Sequence, residues 1–234
     1  MSIESAQPPD AMVTSSQSWN EVWLKALTKP SEATYQDFIA RPGVSLGRAC
    51  TWIFLGTFIA SIFSFLGVYL SGSLSNLGAE QNLNIAPGVG LPLLLFVCGV
   101  PFSAVFGIIG LLITAGISHL VARALGGTGT FPELSYALAA YLAPLGIVTS
   151  LLGMVPYLSC LNAPLGIYGL FLNVLAVKSV HRFGWGKAAA SSLAFLALIL
   201  VFVACIMILS LALLGPAIGN VFSNVMQGLI TPMP

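Results

Sequence analysis

Charged residues are scarce in this sequence. Lysine, arginine, aspartate and glutamate make up 6% of the 234 residues, whereas an average soluble domain carries about 25%. Because 57% of the residues are hydrophobic, the remaining polar side chains could not cover the surface of a soluble fold. The composition therefore predicts an integral membrane protein. The net charge is only +1 and no basic run occurs, which excludes nucleic-acid binding.

The chain is also poor in the residue sets that carry catalysis or hold metal ions. Beyond Asp37 only two carboxylates remain, Glu80 and Glu133, and no HExxH motif occurs. Hydrolysis and group transfer generally need paired carboxylates, a metal set or a nucleophile with its base, so no catalytic site is expected. The cysteines are scattered without a CxxC pair, so neither a metal nor a cofactor is expected. They are Cys50, Cys98, Cys160 and Cys205.

The first 17 residues lack both a basic charge and an apolar core. A secretory signal peptide needs both within about 30 residues, so the N-terminus is expected to stay on the protein and not to cross the membrane. Residues 1–17 are therefore interpreted as a polar N-terminal arm.

Long apolar runs are abundant in the sequence. A helix that crosses the hydrocarbon needs about 20 mainly apolar residues. Pro101 is expected to split the second run into a short outer piece and the spanning part, and Pro144 is expected to kink the third. The sequence thus predicts an all-α integral membrane protein with five transmembrane helices in a domain of residues 46–214, followed by a short external tail, 215–234. The predicted spans are 52–71, 91–122, 134–152, 165–180 and 188–214.

The basic residues indicate the orientation of the five spans. All eight Lys and Arg precede the first span, fall between the second and third, or fall between the fourth and fifth. The segments 72–90, 153–164 and 215–234 contain none. Because Lys and Arg accumulate in cytoplasmic loops, the N-terminus is predicted to be cytoplasmic and the C-terminus outside.

Residues 18–45 have an amphipathic pattern that the rest of the chain lacks. Ser18 with Glu21 fits a capping box, and apolar residues recur at helical spacing along one face. Two short cytoplasmic helices that lie in the membrane interface are predicted. A partner-docking surface, with Trp19 and Trp23 as anchors, is a second interpretation, and the two are not exclusive.

The few ionisable groups near residue 125 have a structural interpretation. His119 and Arg123 fall at the cytoplasmic end of the second span, where cations complement the helix dipole and meet lipid headgroups. The Gly-Gly pair at 126–127 is expected to cap that helix. Thr130 is a plausible N-cap of the next one, with Glu133 in its first turn. An acid–base pair of His119 and Glu133 is the less favoured alternative.

Small residues form a stripe on each of the first two spans. Close backbone contact through small residues matters between membrane helices, so the two stripes are expected to pack on each other. The alternative is that one of them meets a partner subunit. In the fourth span, Asn173 is expected to form an interhelical hydrogen bond, and a transport site is the sharper alternative. The stripes are Gly56, Ala60, Ser64 and Gly67 on the first span, and Ser103, Gly107, Gly110 and Thr114 on the second.

Three segments carry a resemblance to a known family. They read VWLKALTKPSEATYQDFIARP, HLVARALGGTGTFPELSYALAAYLAPLGI and LNVLAVKSVHRFGWGKAAASSL. The middle one is the most specific, with its basic helix end, Gly-rich turn, aromatic residue and Pro-containing span. From about Trp19 to Leu214 the chain resembles the Yip domain family (Ypt/Rab-interacting proteins), and its bacterial members most closely.

The resemblance implies five spans, a cytoplasmic N-terminus and an external C-terminus, which agrees with the distribution of charge. Eukaryotic relatives look like trafficking adaptors that engage Rab-type GTPases and partner membrane proteins. This chain lacks the long cytoplasmic N-terminal region expected of many of them, and a bacterial member would have no such vesicle pathway. The GTPase role is therefore not carried over, and no catalytic residue set comes with the family.

Together these observations favour a non-catalytic membrane interaction protein, an accessory or organising subunit of a larger membrane complex. Its expected partners are other membrane proteins and the lipid bilayer. Its expected location is the bacterial cytoplasmic (inner) membrane or an internal membrane derived from it. A small permease or channel-like transporter is the alternative, for which Pro101, Pro144 and Asn173 are faint signals. An intramembrane enzyme ranks third.

Overall fold

The computed structural model of the protein describes residues 18–70, 90–155 and 157–230. The predicted polar arm, 1–17, most of the loop after the first span and the last four residues of the tail lie outside the described residues. The described part is helical throughout, with a short 3-10 helix at Ser159–Leu161. Its helices are α1 (Trp19–Thr28), α2 (Glu32–Ala40), α3 (Leu46–Leu70), α4 (Gly90–Ala124), α5 (Phe131–Gly153), α6 (Asn162–His181) and α7 (Trp185–Ile230).

The five-span prediction is confirmed. Five helices are long and apolar enough to cross a membrane, and they coincide with the five predicted runs. The first begins at Leu46, earlier than expected, because the polar start of α3 continues the same helix. The predicted division of the second span at Pro101 is wrong, since α4 continues through that proline. Neighbouring groups can satisfy the one carbonyl that a proline leaves without a donor. α5 likewise continues through Pro144.

Helix α5 forms the centre of the bundle. Its side chains are buried continuously from Leu134 to Tyr141 and again from Ala143 to Leu145. α3 makes the most extensive contact with it, and α1, α2, α4 and α6 also pack against it. A helix that is apolar all round is suited to such a position, because neighbours cover every face.

Helices α1 and α2 cover part of α5 and α6. The two helices predicted in residues 18–45 are confirmed, and their apolar faces lie against the bundle of the same chain. Val22, Tyr35 and Phe38 are fully buried there. The capping box predicted at Ser18 is wrong, because the Ser18 hydroxyl bonds the Asn20 side chain and makes no cap. Their location at the membrane interface stays a prediction.

The small-residue stripe of α3 faces α5 instead of α4, which corrects the expected pairing of stripes. A Cβ atom placed on Gly56 would lie 2.8 Å from the Cα of Ala143, and one placed on Gly67 would lie 3.1 Å from the Cα of Met154. A groove of about 590 Å³ continues this contact along the rest of the stripe. Its lining includes Ala60, Ser64 and Gly67 on α3, and Gly146, Thr149, Ser150 and Gly153 on α5.

The stripe of α4 is split between two environments. Gly107 meets α3 on a different face, since a Cβ there would lie 2.6 Å from Cγ2 of Thr57. Gly110 is exposed, and no atom outside its own helix lies within 4 Å of such a Cβ. Ser103 and Thr114 are half-buried. α3 and α4 are neighbours, as expected, but they pack through only part of the predicted stripe.

The chain divides into two compact units. The first reaches Ser192, and the second begins at Leu193. All sites described below lie in the first unit. In the second, α7 continues as one helix to Ile230.

Candidate functional site at the basic end of the bundle

The loop 125–130 connects α4 to α5 at the end of the bundle where Arg123, Lys178 and Lys187 lie, here called the basic end. Gly126 has φ +91°, a conformation that glycine adopts without strain. The Gly127 amide donates a hydrogen bond of 2.8 Å to the Ala122 carbonyl, which closes the last turn of α4. The glycine cap predicted at 126–127 is therefore confirmed. Lys187 ties α7 to the same loop by donating to the Leu125 carbonyl at 3.0 Å.

The second half of the loop lies directly against the end of α6. A Cβ on Gly129 would lie 2.5 Å from the Val180 carbonyl oxygen. The Thr128 amide donates to the His181 carbonyl at 3.4 Å. On the α5 side, the Thr130 amide donates to Oε2 of Glu133 at 2.8 Å. That bond fixes the Glu133 carboxylate at the start of α5, where the helix dipole favours a negative charge.

Two histidine side chains meet beneath this loop. The ring centroids of His119, on α4, and His181, at the end of α6, are 5.2 Å apart. His181 is 1% exposed and stacks on Phe183 at 5.6 Å, while Phe131 meets His119 edge-on at 5.9 Å. A Cβ on Gly127 would lie 2.6 Å from Nδ1 of His181. His119 therefore points into the bundle, and only Arg123, one turn later, is exposed as expected of a residue near headgroups.

A polar cleft of about 390 Å³ opens beside the loop, between α2 and the end of α6. Glu133 and Arg182 contribute opposite charges to its walls, and Gln36 contributes an amide. Arg182 adopts a left-handed conformation, φ 54°, as it ends α6. The paired charges suit a small polar group better than a strong anion, because Glu133 offsets the cation.

The two tryptophans of α1 have different surroundings. Trp23 is 9% exposed and meets Trp52 edge-on at 6.3 Å inside the chain's own core. Trp19 is 55% exposed. Of the two predicted anchors, only Trp19 therefore offers its ring to another molecule.

Asn173 differs from its expected role. It is half-buried on α6, and its Oδ1 has no hydrogen-bond partner among the described residues. The interhelical hydrogen bond expected of the Asn173 amide therefore does not form at Oδ1 in the described part of the chain. Gly43, in the turn before α3, and Gly47, in its first turn, frame a GxSxG pattern around Ser45. Its hydroxyl accepts from the Arg48 amide at 3.2 Å and starts α3, so it lacks the strand-to-helix turn of a nucleophile elbow.

Sequence reasoning missed His181 as a partner of His119. The available signal was simple, because these are the only two histidines in the chain. Only the packing of α4 against the loop and α6 shows that they meet.

The fold and this site define a polytopic α-helical membrane protein whose N-terminal helices are packed onto its own spans. The Yip1 domain family model matches residues 24–207, which is most of the chain. The protein therefore belongs to the Yip1 domain family, as the resemblance implied. Comparisons with curated proteins and with solved structures gave no match.

Proposed function

We propose that this protein is a non-catalytic accessory or organising subunit that associates with other membrane proteins through its helices. The observation that carries the proposal is an exposed small-residue face on α4. Gly99 and Gly110 are both exposed, and a Cβ on either would meet no described residue within 4 Å. They lie eleven residues apart, which is close to three helical turns, so they share a face with Ser103 between them.

Such a face suits a partner helix. The lipid tails are as apolar as the side chains, so helix association depends on close packing and hydrogen bonds, which small residues permit. The exposed Phe106 lies on this same face, between Gly99 and Gly110, and the exposed Phe102 lies beside it. A partner helix would therefore pack against small residues on either side of one aromatic ring. Trp19, exposed on α1, adds a second contact point outside the spans.

The test compares two glycines of the same helix. Gly110→Leu is expected to leave folding intact, because the leucine enters open space, but to reduce the yield of co-purified membrane proteins about tenfold or more. Gly116→Leu is the matched control, because Gly116 is equally unobstructed and lies on a different face. The measurement is quantitative mass spectrometry of companions retained in mild detergent.

The membrane proteins retained by the two variants distinguish three outcomes. Loss of the same companions in Gly110→Leu alone supports the face as an interface. Equal retention in both variants contradicts it. Equal loss in both would point to a general effect of bulk on the helix and would also contradict the proposal.

The orientation and location belong to the same proposal. The N-terminus is assigned to the cytoplasm and the C-terminus to the outside, since the basic residues of the α4–α5 and α6–α7 connections meet at one end. The membrane is assigned as a bacterial inner membrane or one derived from it. The domains proposed are the arm 1–17, the helices 18–45, the membrane domain 46–214 and the tail 215–234. Neither a cofactor nor a catalytic role is assigned.

A permease remains the second candidate because of one observation, the unpartnered Oδ1 of Asn173. A polar atom without a partner inside a membrane protein can mark a path for a polar solute. Reconstituted liposomes would test this, since solute flux that depends on Asn173 would favour transport. Equal flux with Asn173→Leu would remove the candidate.

A further inference from the structure

His119 and His181 form an arrangement that the proposed function does not use. They are the only histidines of the chain, and three helix ends and one loop bring them together. Nδ1 of His119 and both ring nitrogens of His181 are buried without a hydrogen-bond partner among the described residues. A buried polar group without a partner is destabilising, so three such atoms at one place require an explanation.

We propose that the two histidines bind one first-row transition-metal ion of the Cu²⁺ or Zn²⁺ class through their ring nitrogens. Two imidazoles that share an ion at metal–nitrogen distances of about 2.0–2.1 Å have ring centroids roughly 5 to 6 Å apart. The observed separation is 5.2 Å. The unpartnered Nδ1 of His119 and Nε2 of His181 supply the two donors, because the backbone of Gly127 lies against Nδ1 of His181.

The chemistry of the site selects the class of ion. Imidazole suits copper, zinc and nickel, whereas magnesium and calcium prefer oxygen ligands. No group of three or more His, Cys, Asp or Glu is found in the described residues, so the protein supplies two ligands and water or an external ligand completes the shell. Such a site exchanges its ion readily, unlike a closed structural zinc site.

Neighbouring residues hold the two imidazole rings in place and leave one side open to a metal ion. Phe183 stacks on His181, and Phe131 contacts the edge of His119. The backbone at Gly127 closes over His181. His119 is only half-buried, so an ion can reach the pair from its side. Glu133, at the start of the adjoining α5, and Arg123 act on His181 with opposite electrostatic sign.

The probe is Cu²⁺ added to the full-length protein, without a histidine tag, in lipid nanodiscs. All four cysteines are replaced by alanine so that thiols do not compete for or reduce the ion. One Cu²⁺ per chain is expected, with paramagnetic resonance couplings from two imidazole nitrogens. Excess Zn²⁺ is expected to displace it.

Two variants and a control test the ligands. His119→Ala should lower the affinity for Cu²⁺ at least about tenfold and remove one nitrogen coupling. His181→Gln should do the same, and equal melting temperatures establish that each variant is folded. Arg123→Gln, one turn beyond His119 and exposed, should keep both couplings.

Three results would overturn the proposal. One is no saturable binding by the folded protein. Another is binding that His119→Ala leaves unchanged in affinity and couplings, which would place the ion elsewhere, for example at the N-terminal amine. The last is bound copper that shows no imidazole coupling. If His181→Gln fails to fold, His119→Ala alone decides.

Discussion

Single glycines determine how closely the helices of this bundle approach. At Gly56 the backbone of α3 lies against Ala143, the residue before Pro144 in the buried part of α5. The nearest atoms are the Cα, Cβ and carbonyl oxygen of Ala143, none of which can rotate away from an added methyl group. Gly47, nine residues earlier on α3, is exposed and meets nothing within 4 Å.

The first prediction uses these two glycines of α3. Gly56→Ala should destabilise the protein by about 1–3 kcal/mol, because overpacking pushes α3 away from α5. Gly47→Ala should be neutral or stabilising by up to about 1 kcal/mol, since alanine favours a helix more than glycine does. Denaturation in detergent measures both. Equal stability of the two variants would show that α3 and α5 do not approach as described.

The second prediction concerns the phenol of Tyr35, which is fully buried on α2 and has no hydrogen-bond partner for its hydroxyl among the described residues. Burial raises the pKa of Tyr35 above the ordinary tyrosine value of 10.0, and the neighbouring Tyr141 and Tyr168 raise it further. The folded state therefore keeps the phenol neutral. Its contribution to stability is complete below pH 10 and is lost as the unfolded chain ionises at higher pH.

Tyr35→Phe should therefore keep the fold and flatten the loss of stability above pH 10. At neutral pH it should be neutral or stabilising by about 1 kcal/mol, because an unpartnered hydroxyl is removed. Unfolding measured across pH 7 to 11 provides the comparison with the unmodified protein. An unchanged alkaline slope would mean that Tyr35 is solvated in the folded state.

At the scale of elements, the attachment of α1 and α2 to the spans is the main feature. The Tyr168 hydroxyl donates to the Leu27 carbonyl at 2.5 Å, which fixes the end of α1 on α6. The Lys178 ammonium pairs with Glu32, and it also lies 4.7 Å from the ring centroid of Trp185. These contacts connect α1, α2, α6 and the start of α7, so the N-terminal helices form part of the folded bundle.

The third prediction compares two lysines. Lys178→Met should destabilise the protein by about 1–3 kcal/mol and speed hydrogen exchange in α2. The lysine side chain is 15% exposed, and its loss leaves Oε2 of Glu32 without its cationic partner. Lys25→Met removes an exposed pair with Glu21 and should cost no more than about 0.5 kcal/mol. Similar exchange rates in the two variants would contradict the attachment of α2 through this pair.

At the scale of the whole molecule, the distribution of the eight basic residues predicts how the protein is oriented. Contacts between the α4–α5 loop, the end of α6 and the start of α7 bring Arg123, Lys178 and Lys187 to one end. A membrane protein with its basic loops on one side is held in that orientation. With five spans, the same rule predicts that the two termini lie on opposite sides of the membrane.

The fourth prediction tests this orientation in a cysteine-free background. A cysteine at Gly184, between α6 and α7, should not react with an impermeant thiol reagent added to intact cells. A cysteine at Gln81, in the segment after the first span, should react. Permeabilised cells provide the control that Gly184→Cys is reactive at all. Labelling of Gly184→Cys in intact cells would contradict the predicted five-span topology.

The sequence by itself determined the membrane class, the five spans and the two amphipathic helices. These follow from composition and from periodicity, which act locally along the chain. The glycine turn after α4 and the acidic start of α5 were also predictable, because helix ends satisfy their backbone groups with nearby residues. The same local character explains why the family resemblance was visible in three short segments.

Only the tertiary structure decided which faces meet. Small residues on α3 and α4 were evident, but a stripe does not specify its partner, and the stripe of α3 packs on α5. From the sequence alone, the Trp23 ring could have faced lipid, another protein or the core of its own chain. The packing of α1 against α5 puts the ring in the core, next to Trp52. His119 and His181 are far apart in sequence, so no local pattern could join them. Their contact exists because α4, the glycine loop and α6 converge, and the packing of whole helices determines that convergence.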